Sequence, residues 1–183
     1  MIWIITRKSG KTSSTGSAGL LKNALQRLMP SDENIMEIHT DFKELLELFN
    51  KHKVEYLIVG GYALAFHGAP RFTGDIDLFV RPTHENAKRI LVALDEFGFG
   101  SLDLSEDDFT TPGKIIQLGV PPIRIDIITR VSGVSWEKAN LDKVPGQYDQ
   151  TPVFFISRED FIANKKAIGR KKDAADIEAL GEQ

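Results

Sequence analysis

From residue 41 onwards, apolar residues recur at helical spacing in some segments and at strand spacing in others. Capping residues mark the starts of the helical segments, and glycine or proline marks many of the ends. The predicted elements, in chain order, are a helix capped by Asp41, a strand over 54–59, a short helix over 62–67, a strand over 75–80, a helix capped by Thr83, strands over 114–120, 122–129 and 153–156, a helix capped by Ser157, and a helix over 171–180. This alternation predicts an α/β (α+β) fold, a mixed β-sheet flanked by helices.

The first 35 residues do not share this pattern. Residues 7–19 are rich in Ser, Gly and Thr and lack periodic apolar positions, which is typical of a flexible linker. Residues 20–29 are compatible with a short amphipathic helix that Pro30 ends. The sequence therefore predicts a partly flexible N-terminal extension over 1–35 and a folded domain over 36–183.

Composition narrows the class of protein. The chain has 183 residues, 42% of them hydrophobic, which is enough for one domain with a real core. Its net charge of -3 argues against a surface devoted to nonspecific nucleic-acid binding, although a local basic patch stays open. There is no cysteine, which excludes disulfides and thiolate chemistry. No apolar run approaches the ~20 residues of a membrane span, so we expect a cytoplasmic protein with no membrane partner.

Two aspartates interrupt the predicted strand over 75–80. Side chains alternate along a strand, so Asp75 and Asp77 share one face, and Asp126 lies on the acidic face of a later strand. If the two strands are neighbours, three carboxylates converge. Two such charges ~4 Å apart repel by ~4 kcal/mol at an effective dielectric constant of 20, so the cluster needs cations or protons.

A phosphate and metal site would explain this charge. Mg²⁺ prefers a few carboxylate ligands and shares its shell with phosphates, and a glycine pair such as Gly60 and Gly61 lets backbone N–H groups approach a phosphate. Together, the carboxylates and the glycine pair favour two-metal phosphoryl chemistry, with Asp126 nearest the attacking hydroxyl. The alternative is structural, with the aspartates on edge strands that face solvent.

The same residues resemble a known family. The segment from Val59 to Leu78, with a glycine pair, thirteen intervening residues and Asp-Ile-Asp, resembles the core signature of the nucleotidyltransferase superfamily related to DNA polymerase beta. Asp126 resembles its third carboxylate. The segments RFTGDIDLFV and KKAIGRKKDAADIEAL are similar to small prokaryotic, toxin-like nucleotidyltransferases of abortive-infection systems.

This resemblance implies an activity and a site within 36–183. The implied reaction transfers a nucleoside monophosphate from a nucleoside triphosphate such as ATP to a hydroxyl acceptor, with two Mg²⁺ ions or with Mn²⁺. The implied acceptor is RNA or tRNA, a protein or a small molecule, and an antitoxin is an expected partner if the protein is a toxin. The implied catalytic residues and metal ligands are Asp75, Asp77 and Asp126, and the implied nucleotide or phosphate contacts are Gly60, Gly61, Arg71, Thr73 and Lys165.

Two alternatives stay open at this point. The basic cluster around Lys165 is equally compatible with a solvated helix junction. The whole domain is also compatible with a non-catalytic module that binds a nucleotide or a partner and keeps the same fold.

Overall fold

The computed structural model describes residues 3–5, 39–120 and 123–182. Within these ranges, seven strands form one mixed sheet with the order β1-β4-β5-β3-β2-β7-β6. The strands are β1 (Trp3–Ile5), β2 (Tyr56–Val59), β3 (Asp75–Val80), β4 (Ile115–Val120), β5 (Ile123–Ile128), β6 (Val144–Tyr148) and β7 (Thr151–Phe155). The predicted fold class, a mixed sheet flanked by helices, is confirmed.

The helices pack their apolar stripes into a core built on this sheet. In the first of them an apolar stripe of Phe42, Leu45, Leu46 and Phe49 is completely buried. The helices are α1 (Thr40–Lys51), α2 (Gly60–Phe66), α3 (His84–Leu94), α4 (Glu106–Thr110), α5 (Trp136–Leu141), α6 (Arg158–Ile168) and α7 (Lys171–Ala179). A π-helical turn over Asp95–Phe99 continues α3. No helix among the described residues is long and apolar enough to cross a membrane.

The central strands position the aspartates. β3 and β5 are parallel neighbours in the interior of the sheet, with Asp77 paired to Asp126 and Asp75 paired to Arg124. The alternative that the aspartates lie on solvent-facing edge strands is therefore wrong. The predicted strands over 114–120 and 122–129 correspond to β4 and β5, which pair in antiparallel fashion, and residues 121–122 between them lie outside the described residues.

The helix caps agree with the sequence only in part. Thr83 caps α3 as predicted, because its side chain accepts the N–H of Asn86. The predicted cap at Asp41 is wrong: α1 has its N-cap one position before Thr40, and Asp41 lies in the first turn, where its charge suits the helix dipole. Ser157 caps α6 as predicted, because its side chain accepts the N–H of Asp160, whose carboxylate pairs with Lys138 at 2.5 Å.

Four short elements were not predicted, namely β1, α4, α5 and β6. Pro145 and Gly146 weaken the strand pattern of β6, and such residues are tolerated there because β6 is an edge strand. At the opposite edge, β1 pairs in parallel with β4. The predicted linker over 7–19 and the predicted helix over 20–29 lie outside the described residues.

Candidate active site

Three carboxylates meet in one cavity. The pairing of β3 with β5 places Asp77 directly opposite Asp126, and both line a cavity of about 380 Å³ together with Asp75. β3 pairs with β2 along its other edge, and there Val59 lies opposite Asp77. The predicted adjacency of the three aspartates is confirmed, and their roles stay a prediction.

The glycine pair brings the backbone against two of the site residues. Gly60 has a φ of +64°, and a Cβ there would lie 1.9 Å from Asp77 Oδ2. A Cβ at Gly61 would lie 2.9 Å from the Thr73 side chain. The sequence predicts that the glycine pair ends the strand and that a separate helix covers 62–67. In the structure, α2 begins at Gly60 itself. Its first N–H groups, which lack acceptors within the helix, therefore lie at the cavity.

Replacing Gly60 by alanine should damage both stability and the site. The positive φ alone costs about 1–3 kcal/mol in a residue with a side chain. The added methyl group must also displace the Asp77 carboxylate, and a shift of ~1 Å in a catalytic group can cost ~10²-fold in rate. Urea unfolding and a nucleotidyl-transfer assay measure the two effects.

Gly113→Ala is the matched control for this substitution. Gly113 also has a positive φ, +84°, but nothing lies within 4 Å of a Cβ built there. The control should be less stable than the wild type because alanine disfavours a positive φ, and it should keep the activity. Equal activity in the Gly60 and Gly113 variants would contradict the packing of Gly60 against Asp77.

The acidity of Asp77 is strongly perturbed by its surroundings. Burial, followed by the charges of Asp75 and Asp126, raises the pKa of Asp77 to about 7. The charges of Lys165 and Arg124 oppose this increase. Burial also raises the pKa of Asp126, against the opposing effect of Arg124. Without an added cation, Asp77 therefore holds a proton up to near-neutral pH.

This acidity predicts a pH-dependent stability. Folded protein keeps the proton on Asp77 up to about pH 7, whereas an unfolded chain releases it near pH 4, so the contribution of Asp77 to stability falls as the pH rises between these values. In metal-free buffer, Asp77→Asn should be more stable than the wild type by a margin that grows by ~2 kcal/mol from pH 5 to pH 8. Urea unfolding at both values measures the margin. A margin independent of pH would contradict the raised pKa.

Donors already occupy the oxygens of the other two carboxylates. Arg124 Nε and Nη2 donate to Asp126 Oδ1 and Oδ2 at 2.8 and 3.1 Å, and Nη2 also donates to Asp75 Oδ2 at 2.6 Å. Gln117 Nε2 lies 3.3 and 3.2 Å from the two Asp126 oxygens. The Thr73 hydroxyl donates to Asp75 Oδ1 at 2.5 Å. As these side chains stand, no three acidic, His or Cys residues in the described part of the chain are arranged to hold a metal ion.

A second ionic network supports the cavity from α6 and α7. Lys165 Nζ, which is buried, donates to Asp173 Oδ1 at 2.9 Å and to Asp176 Oδ2 at 2.8 Å. Asp176 also accepts from Arg71 Nε at 2.8 Å, and Asp173 accepts from Arg170 Nε at 2.7 Å. Burial opposes ionisation of both aspartates, but these bonds outweigh it and hold the pKa of each below its usual value. The alternative of a solvated junction is therefore wrong for Lys165.

The network fixes two of the predicted phosphate contacts. Arg71 and Lys165 both line the cavity, and both are held by Asp176. Three further cations, Arg130, Arg170 and Lys172, line the cavity from exposed positions. The cavity thus combines three carboxylates with a larger number of cationic side chains, a combination suited to an anion that carries divalent ions.

The sequence matches a family model over residues 33–181, most of its length, and the family is described as "Nucleotidyltransferase of unknown function (DUF6036)". The chain belongs to this family. None of the curated proteins matches the sequence.

Solved nucleotidyltransferase structures share the fold of this family member. A Thermotoga maritima protein, described as a candidate nucleotidyltransferase, is 15% identical with a TM-score of 0.53, and the match covers 78% of this chain and 94% of that one. The lincosamide antibiotic adenylyltransferase LnuA, solved with lincomycin bound, is 18% identical with a TM-score of 0.53, over 81% of this chain and 98% of that one. At these identities the likeness establishes the fold alone.

Three partners of the site residues in this nucleotidyltransferase family member were not predicted from the sequence. Arg124 could have been found, because it shares a strand face with Asp126 two positions later. Asp173 and Asp176 stand three residues apart in a highly charged helix, a spacing that places them on one face. Nothing local indicated that this face meets Lys165, since that contact depends on how α6 and α7 pack.

Proposed function

We propose that this chain transfers a nucleoside monophosphate from a nucleoside triphosphate to a hydroxyl group of an acceptor, with Mg²⁺ bound at the three aspartates. The observation that carries the proposal is the position of Asp77, which lies opposite Asp126 on a parallel strand and against Gly60. Carboxylates beside a glycine turn in a cation-rich cavity suit a triphosphate with its metal ions.

The donor set fits Mg²⁺, because carboxylate oxygens are the hard ligands that this ion prefers. We assign Asp75, Asp77 and Asp126 to two Mg²⁺ ions, with Mn²⁺ as the alternative metal. Once bound, the metal would stabilise negative charge at the phosphorus and favour deprotonation of the attacking hydroxyl. Asp77 must give up its proton to act as a ligand, which its pKa of about 7 allows at neutral pH.

The remaining residues are assigned by their places around the cavity. Gly60 and Gly61 would offer backbone N–H groups to the triphosphate, and Arg71, Thr73 and Lys165 would contact its oxygens or fix those that do. Asp126 would orient the acceptor hydroxyl. The oxygen of that hydroxyl would attack the α-phosphorus and give its proton to the Asp126 carboxylate, which returns it to solvent. The bond from the α-phosphorus to the bridging oxygen of the β-phosphate would break, and pyrophosphate would leave with the electron pair.

An assay with label in the α-phosphate tests this proposal. The full chain would be incubated with Mg²⁺, each of four α-labelled nucleoside triphosphates, and separate pools of tRNA, other RNA, protein and small molecules from a cell extract. We expect label in one pool, dependent on Mg²⁺ and absent with Asp77→Asn. Label transfer that survives this substitution would contradict the assigned site, and the labelled product would identify the acceptor.

One observation favours a non-catalytic module as the second candidate. Arg124 pairs with two of the three carboxylates and so neutralises charge that a metal would otherwise neutralise. Calorimetry with ATP and Mg²⁺ separates the two functions when it is combined with a pyrophosphate assay. Tight binding without any pyrophosphate, across all acceptor pools, would support the binding module and contradict the transferase.

A further inference from the structure

Arg124 occupies the centre of the carboxylate cluster. Its guanidinium group bonds both oxygens of Asp126 and one oxygen of Asp75. The backbone fixes this arrangement, because Arg124 pairs with Asp75 across the strands and shares a strand face with Asp126. An ion bridging these two carboxylates would need the same oxygens, and a guanidinium among them would repel it.

We propose that Arg124 is a built-in counter-ion that keeps the site closed to divalent cations until nucleotide arrives. This inference rests on the proposed function. Arg124 must release Asp75 and Asp126 before these carboxylates can take a metal. The freed guanidinium lines the cavity assigned to the triphosphate, so it can exchange carboxylate oxygens for phosphate oxygens.

The surrounding contacts are consistent with a group that can move. The Arg124 side chain is 29% exposed, whereas Asp126 is 9% exposed and keeps hydrogen-bond donors from Gln117 when Arg124 leaves. Asp75 likewise keeps the Thr73 hydroxyl. Each carboxylate thus has a second donor that holds it in place. The guanidinium is more exposed than Asp126 and about as exposed as Asp75, whose side chain is 33% exposed.

This arrangement couples metal binding to nucleotide binding. Without nucleotide, the metal must compete with an internal cation, so the wild type should bind it weakly. With nucleotide, the triphosphate provides an alternative partner for Arg124 and further ligands for the metal. Removal of Arg124 should therefore strengthen metal binding only where no nucleotide is present.

Nucleotide-free calorimetry with Mn²⁺ tests the inference on the full chain. We expect Arg124→Ala to bind Mn²⁺ at least ~10-fold more tightly than the wild type, because a charge next to the ligands is gone. Arg130→Ala is the matched control, since Arg130 lines the same cavity and none of its contacts is with the three carboxylates. It should change Mn²⁺ affinity by less than ~3-fold, as expected for an exposed charge screened by salt.

Arg124→Lys guards against a folding defect in the alanine variant. Lysine keeps the charge but lacks the planar fork that bridges two carboxylates, so its Mn²⁺ affinity should fall between those of the wild type and the alanine variant. Mn²⁺ should also raise the melting temperature of Arg124→Ala more than that of the wild type. Mn²⁺ affinity in Arg124→Ala that is no higher than in Arg130→Ala would overturn the inference. Label transfer by the wild type alongside that result would leave the proposed function intact.

Discussion

Asp77→Asn is expected to lower nucleotidyl transfer by at least ~10²-fold, since even residues that only support a metal ligand typically cost 10–100-fold. The asparagine keeps the shape of the side chain and removes the charge that would hold the metal. It also removes a carboxylate whose pKa is raised by burial and by two neighbouring carboxylates. The variant should therefore lose activity while its metal-free stability rises, as expected at a site built for function.

Asp103→Asn is the control for this substitution. Asp103 is exposed, lies in the loop before α4, and is not among the residues that line the cavity. It loses the same charge and should retain activity and stability. If Asp77→Asn were as active as Asp103→Asn, the assignment of Asp77 as a metal ligand would be wrong. If it were less stable than the wild type in metal-free buffer at pH 8, the raised pKa of Asp77 would be contradicted.

Lys165→Met is expected to destabilise the protein by about 3–5 kcal/mol, the usual cost of removing one partner of a buried ion pair. Methionine has a similar volume but removes the buried cation that Asp173 and Asp176 share, and leaves each carboxylate with a single arginine partner. Asp176 would also hold Arg71 less firmly in the cavity. Urea unfolding measures the loss of stability.

Lys166→Met provides the comparison, because Lys166 is the exposed neighbour of Lys165 on the same helix. Its substitution should change stability by no more than ~0.5 kcal/mol. In a double-mutant cycle, adding Asp176→Asn to Lys165→Met should recover part of the loss, since it removes one of the two buried charges that have lost Lys165. Additive losses in the cycle would show that the buried network does not couple these two residues.

The central part of the fold could be predicted from the sequence because its signals are local. The alternation in DIDLFV assigns Asp75 and Asp77 to one face, and the glycine pair marks the end of β2. The same signals, with the family resemblance, led to the expectation that Asp126 lies beside them, and the strand pairing places it there.

The parts that were missed depend on tertiary packing. Arg124 carries no local sign that it pairs with Asp75, which is 49 residues away in the sequence. In the sequence, Asp173 and Asp176 are typical of a solvent-exposed helix. In the fold, α7 packs beside α6 and buries both carboxylates against Lys165. Strand β6 was missed because Pro145 and Gly146 are poor strand formers, and its pairing with β7 outweighs that preference.

The most direct test of the central claim compares two positions of the label in one nucleoside triphosphate. The chain of 183 residues would be incubated with Mg²⁺ and the acceptor pool that takes up label, once with label in the α-phosphate and once with label in the γ-phosphate. Attack at the α-phosphorus predicts that the α-label enters the acceptor while the γ-label leaves in pyrophosphate, one pyrophosphate for each acceptor modified. Gamma-label on the acceptor, or α-label transfer that persists in Asp77→Asn, would contradict nucleotidyl transfer at this site.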